Sequence, residues 1–157
     1  MQQHTDGLFD DREPRWSPDG RWIAFSSDRA EGRYAIYLLD VATGKVSPLS
    51  TGTTNDSEPA WSPDGKRVAY VQGGVRLVTI DLASHAVTES VAVPPSADRF
   101  NPNGILAPAF TPDGALAYTL LQPGALTLVA GGKSLVAGED IYPFRPAFAK
   151  DGALFYA

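Results

Sequence analysis

The sequence predicts an all-β repeat architecture, a partial β-propeller of four-stranded antiparallel blades, and three observations carry the prediction. The stretch Trp16-Ser17-Pro18-Asp19-Gly20 returns as Trp61-Ser62-Pro63-Asp64-Gly65, then more weakly as Phe110-Thr111-Pro112-Asp113-Gly114 and Phe148-Ala149-Lys150-Asp151-Gly152. A proline stands two residues before each aromatic, at Pro14, Pro59, Pro108 and Pro146. The copies recur at intervals of roughly 40 to 50 residues, the period of propeller blades, and strand-like runs fall between them in sets of four.

In Ser17-Pro18-Asp19-Gly20 the proline pre-sets φ for the second position of a type I turn, and glycine supplies the left-handed residue that ends it. This turn joins a short strand, Glu13 to Trp16, to a second, Arg21 to Ser26, where large and small residues alternate with a period of two. Val68-Ala69-Tyr70, Leu116-Ala117-Tyr118 and Leu154-Phe155-Tyr156 take the places of Ile23-Ala24-Phe25. The last two copies lack one residue between glycine and triplet, so a slightly different hairpin is expected there.

A loop from Ser27 to Arg33 is expected next, then a third strand, Tyr34 to Leu39, with copies at Arg76 to Ile80 and Leu126 to Val129. Asp40-Val41-Ala42-Thr43-Gly44-Lys45 reads as a turn in which aspartate bonds the backbone ahead, and Asp81-Leu82-Ala83-Ser84-His85 matches it. Fourth strands follow at Val46 to Leu49, Val87 to Val93 and Ser134 to Val136. The repeats span roughly 12–50, 57–93, 106–137 and 144–157, giving three complete blades and half of a fourth. A helical reading fails because no 3.6-residue apolar stripe exists and 13 prolines punctuate the chain. An up-and-down barrel ranks lower because its strands would not recur in fours. Both ends cut through repeats, so remaining blades of a longer chain, or less readily a second chain, are expected to complete the ring.

A net charge of −5 argues against nucleic acid as a partner, because that affinity rests on Lys and Arg. With no cysteine there is no disulfide, thiolate nucleophile or thiolate zinc site. No run approaches the ~20 apolar residues of a membrane span, so no membrane insertion is expected. The two histidines, His4 and His85, have no companion ligands in sequence and read as surface residues. No Gly-x-Ser-x-Gly, His-Glu-x-x-His or phosphate-cradling loop is present, so neither catalysis nor a cofactor is expected of this chain. Aspartates 19, 64, 113 and 151 recur beside turn glycines, which makes them turn residues before ligands.

If the Asp-Gly turns and the Asp40 and Asp81 turns share one side, the longer, more varied loops share the other. Asp11-Arg12-Glu13, Asp56-Ser57-Glu58 and Phe144-Arg145 begin the innermost strands and should gather near the channel mouth, with Arg99 and Phe100 on a neighbouring loop. Asp11, Arg12, Glu13, Asp56, Glu58, Arg99, Phe100, Phe144 and Arg145 are therefore the candidate contacts for a protein or peptide partner, mixing charge with aromatics as interaction surfaces do.

The motif Pro-x-Trp-Ser-Pro-Asp-Gly-[Lys/Arg]-x-[Ile/Val]-Ala-[Phe/Tyr], with Ser27-Asp28-Arg29 and Ile36-Tyr37 downstream, resembles the TolB-type propeller repeat. The resemblance covers nearly the whole chain, strongly in the first two repeats and loosely where Phe replaces Trp and Lys150 replaces proline. It implies a periplasmic or cell-envelope interaction module. Similar propellers also gate substrate access in prolyl oligopeptidase-like and amidohydrolase-like enzymes, which makes a gating role, with catalysis on another domain, the alternative. A lectin-like propeller that binds sugar or metal is a third, weaker reading.

Overall fold

A computed structural model of the chain describes residues 8–30, 32–95, 103–138, 146–149 and 151–155. Three four-stranded antiparallel sheets and one two-stranded sheet account for the strands among them, each sheet ordered as its strands follow in sequence. Blade 1 contains β1 (Asp11–Trp16), β2 (Trp22–Ala30), β3 (Arg33–Asp40) and β4 (Val46–Pro48). Blade 2 contains β5 (Asp56–Trp61), β6 (Arg67–Gln72), β7 (Arg76–Asp81) and β8 (Val87–Ala92). Blade 3 contains β9 (Gly104–Phe110), β10 (Leu116–Gln122), β11 (Ala125–Ala130) and β12 (Lys133–Gly138), and β13 (Ala147–Phe148) with β14 (Leu154–Phe155) begins the next unit.

The Asp-Gly turns form as their residues dictate. Gly20 sits at φ 72° and its N–H donates to the Ser17 carbonyl at 3.0 Å. The Ser17 hydroxyl donates to Asp19 Oδ1 at 2.6 Å and Ser62 does the same to Asp64, while Thr111 makes the matching bond to Asp113. These hydroxyl bonds hold Asp19, Asp64 and Asp113 below the ordinary carboxylate pKa. The one-residue deletion tightens the later hairpins. Ser17 N–H bonds the carbonyl five residues on, at Trp22, whereas Thr111 and Ala149 bond those four residues on, at Ala115 and Ala153. On the same side of the sheets, Asp40 Oδ1 accepts the Ala42 and Thr43 N–H groups at 3.0 Å, and Asp81 Oδ1 accepts those of Ala83 and Ser84. Val41 N–H to Arg21 O and Leu82 N–H to Lys66 O tie the two kinds of turn together.

One connection differs from expectation. The Ser27-to-Arg33 stretch is mostly strand, with β2 running to Ala30 and β3 starting at Arg33. The reason is a tertiary anchor on Arg29, described below, that pulls the polar tip of the hairpin onto β1.

The innermost strands lie side by side, β5 between β1 and β9, and the core is built between blades. Ile36, Tyr70, Val78 and Ile80 close the boundary of blades 1 and 2. Ala69, Val71, Leu77, Ile105 and Phe110 close that of blades 2 and 3. Side chains as buried as Leu77 and Ile105 each contribute about 2 to 5 kcal/mol relative to alanine. At the repeat aromatic, Trp16 is 58% exposed whereas Phe110, which packs into the core between blades 2 and 3, is 9% exposed.

Candidate channel-mouth site

The residue before the proline in β1, β5 and β9 has left-handed backbone: Glu13 at φ 56°, Glu58 at 54° and Ala107 at 51°. A residue preceding proline ordinarily favours extended backbone, so each of these conformations needs a compensating contact. Each marks a β-bulge, where the ladder to β2, β6 or β10 shifts register. For Glu58 and Ala107 the compensation comes from the preceding blade. Glu13 Oε2 accepts the N–H of Glu58 at 2.6 Å, and Glu58 Oε2 accepts the N–H of Ala107 at 2.6 Å. The Ser26 hydroxyl also donates to Glu13 Oε2, at 3.0 Å. A carboxylate thus passes from blade 1 to the bulged amide of blade 2, and from blade 2 to that of blade 3, with charge-assisted bonds. Ala107 has no carboxylate with which to continue.

The aspartates that open the innermost strands are structural anchors as well. Arg29 Nη2 donates to both Asp11 oxygens at 2.8 and 2.9 Å, while its guanidinium carbon lies 5.1 to 5.2 Å from the rings of Phe9, Phe25 and Tyr37. Asp56, at the equivalent place in blade 2, is fully buried and accepts the Ser50 hydroxyl at 2.6 Å and the Thr54 hydroxyl at 3.0 Å. Burial pushes the Asp56 carboxyl above its ordinary pKa, although the Ser50, Thr54 and Gln72 hydrogen bonds pull the other way. Burial, with the Asp56 charge adding, pushes the neighbouring Tyr70 hydroxyl up to about 12.

Arg12 is the described candidate most open to water. Its guanidinium pairs with Asp10 and lies 4.9 Å over the Tyr34 ring, and the Tyr34 hydroxyl donates to Asp10 at 2.8 Å. The Arg12 bond, and after it the Tyr34 bond, lowers the Asp10 pKa. Arg33 reaches across to the Thr53 carbonyl at 2.8 Å, so the loop tips of blades 1 and 2 are tied together.

The structure thus brings Asp11, Arg12 and Glu13 together on β1, sets Glu58 beside Glu13, and sinks Asp56 beneath the Ser50-to-Thr54 loop. Arg99, Phe100, Phe144 and Arg145 lie outside the described residues, as does His4. His85 is exposed in its turn, at φ 56°. Sequence reasoning missed Asp10 and Tyr34 as members of the cluster, and treated Arg29 as a loop residue. A usable signal existed: Asp11 and Asp56 both stand five residues before a repeat tryptophan, a regularity that points to a fixed partner. Among the described residues no three His, Cys, Asp or Glu side chains stand together as metal ligands, and no helix is long and apolar enough to cross a membrane.

No curated protein matches the chain. Solved structures do. TolB from Acinetobacter baumannii is similar at 25% identity and a TM-score of 0.64, over 94% of this chain and 38% of that one. A putative TolB from Agrobacterium tumefaciens is similar at 20% identity and a TM-score of 0.70, over 97% of this chain and 58% of that one. A prolyl endopeptidase shares the fold at 19% identity and a TM-score of 0.61, over 85% of this chain and 23% of that one. The chain therefore spans well under two thirds of each of these proteins. The TolB beta propeller domain matches residues 1–105, and with two blades, their turns and their carboxylate hand-off inside that span, the chain belongs to the TolB β-propeller family.

Proposed function

We propose that this chain is a non-catalytic interaction module that presents the loop face around the channel mouth to a protein or peptide partner. The observation that carries the reading is the division of roles at that mouth. Asp11, Glu13, Asp56 and Glu58 are committed to holding hairpins and blades in place, while Arg12 and Phe9 stand half exposed or more on the frame they create. A rigid frame that displays arginine and aromatic side chains loses little ordering entropy on binding, and those residue types dominate interface energetics. The sequence-based expectation adds Arg99, Phe100, Phe144 and Arg145, which lie outside the described residues, as further contacts for the same partner.

A photo-crosslinking residue in place of Arg12 should trap one discrete partner, whereas the same group in place of Thr43, on the opposite turn face, should trap none. Equal trapping from both positions overturns the reading. The gating alternative rests on the shared propeller fold, and a hydrolase domain in the same polypeptide is the finding that would favour it.

A further inference from the structure

One inter-blade position is filled by Arg67 between blades 2 and 3 and left open at the next boundary. Trp22, Arg67 and Ala115 follow their Asp-Gly turns at one structural place, because each makes the same two bonds. Its carbonyl accepts the N–H of the first turn residue, from Ser17 at 2.8 Å, Ser62 at 2.9 Å and Thr111 at 2.8 Å. Its own N–H donates to that residue's hydroxyl, at 2.9, 2.9 and 3.0 Å. Between blades 2 and 3 the place belongs to Arg67, whose guanidinium lies 5.2 Å from the Phe110 ring centre and donates from Nη2 to the Gly114 carbonyl at 3.0 Å. The fit is close: a Cβ on Gly114 would come within 3.2 Å of that nitrogen.

At the next boundary the shortened turn puts Ala115 in the same place, and a methyl group cannot reach the matching ring and glycine, Phe148 and Gly152. A cavity of about 590 Å³ lies at this boundary, with Phe148, Asp151 and Gly152 on one side and Thr111, Asp113, Ala130 and Leu135 on the other. Among the described residues, the hydrogen bonds made by the two carboxylates run through one oxygen each: Asp113 Oδ1 takes the Thr111 hydroxyl and Asp151 Oδ1 takes the Ala153 N–H at 3.0 Å.

We propose that this cavity binds an arginine side chain from a peptide or protein partner, seated between blade 3 and β13–β14 as Arg67 is seated one boundary earlier. A lining that offers an aromatic ring, a glycine and two carboxylates suits a planar, weakly hydrated cation, and the chain's net charge of −5 favours its approach. The volume exceeds that of a guanidinium head and falls in the range of roughly 300 to 1,000 Å³ typical of ligand sites, so the aliphatic stem and adjoining backbone enter too. The site lies on the Asp-Gly turn side, opposite the channel mouth, and is independent of the proposed loop-face partner.

The test is titration of the full chain, by amide NMR or calorimetry, with the capped tripeptides acetyl-Ala-Arg-Ala-amide and acetyl-Ala-Leu-Ala-amide. The arginine peptide should saturate with one site, shifting the Gly152 amide, and the leucine peptide should not. Asp151→Asn keeps the turn bond through Oδ1 and should weaken binding about tenfold, the worth of one charge-assisted contact. Ala115→Arg should fill the place from within and abolish binding, while Asp64→Asn, at the occupied boundary, should leave it unchanged. Absence of saturation, equal binding of the leucine peptide, or binding that survives both Ala115→Arg and Asp151→Asn overturns the proposal.

Discussion

Replacing Glu58 with alanine tests the inter-blade carboxylate directly. The bond from the Ala107 N–H to Glu58 Oε2 is 2.6 Å long, and Ala107 is 4% exposed, so water cannot substitute for the lost acceptor. A buried amide left without a partner costs about 1 to 3 kcal/mol, and the charged acceptor favours the upper half of that range. Alanine keeps the strain of φ 54°, about 1 to 2 kcal/mol for a non-glycine residue. Glu58→Ala should therefore lose about 2 kcal/mol in urea unfolding at unchanged m-value. Glu58→Gly loses the same bond but relieves the strain; after the extra unfolded-state freedom of glycine, about 0.5 to 1 kcal/mol, it should be the milder variant by a similar amount. Glu58→Gln retains a neutral acceptor and should lose about 1 kcal/mol. Amide exchange at Ala107 should quicken in the order Gln, then Gly and Ala together. An unchanged exchange rate at Ala107 in Glu58→Ala, or a glycine variant weaker than the alanine one, would refute the reasoning.

Trp61 Nε1 donates to the Arg15 carbonyl at 3.0 Å, so Trp61→Phe should cost about 1 kcal/mol, whereas Trp16→Phe, at the exposed copy, should be near neutral by thermal unfolding. Arg29 combines a salt bridge to Asp11 with three ring contacts, so Arg29→Lys should recover less than half of the loss in Arg29→Ala, because ammonium lacks the planar stacking surface; full rescue by lysine would show that charge alone matters. Burial raises the Asp56 pKa above its ordinary 3.8, so the folded state holds that proton more tightly and wild type should gain stability on Asp56→Asn as pH falls through that window; a flat difference between their pH profiles contradicts the burial effect. Asp64 titrates in the opposite sense, its lowered pKa giving stability that is present above 3.8 and lost as pH falls through the folded value. His85 stands at φ 56° where blade 1 has Gly44 at 71°, so His85→Gly should raise stability by about 1 kcal/mol.

The turns and strand sets were legible because they depend on neighbours in sequence: proline and glycine fix the Asp-Gly hairpin, and alternation fixes the strands around it. The shortened third and fourth turns were legible for the same reason, as a missing residue. The starts of the innermost strands were legible only as a run of charged residues. Glu13 and Glu58 read as rim charges, and nothing local to Glu-Pro announces a left-handed bulge whose amide is answered from a blade about 45 residues away in the repeat. Arg29 read as a loop residue for a related reason: its hairpin tip is ordered by Asp11 and the aromatic rings of Phe9, Phe25 and Tyr37, a tertiary contact that overrides the polar composition of the segment.

The hand-off from Glu13 to Glu58 to Ala107 runs one way along the chain. Blades joined by such one-way links cannot be shuffled freely. Inserting a copy of β9–β12 between blades 1 and 2 would set Ala107 before Glu58 and leave that amide without its carboxylate, whereas duplicating blade 1 or blade 2 whole would extend the series without a break. Growth of such an array by copying therefore costs more at some junctions than at others, and a junction that follows Ala107 lacks the carboxylate link.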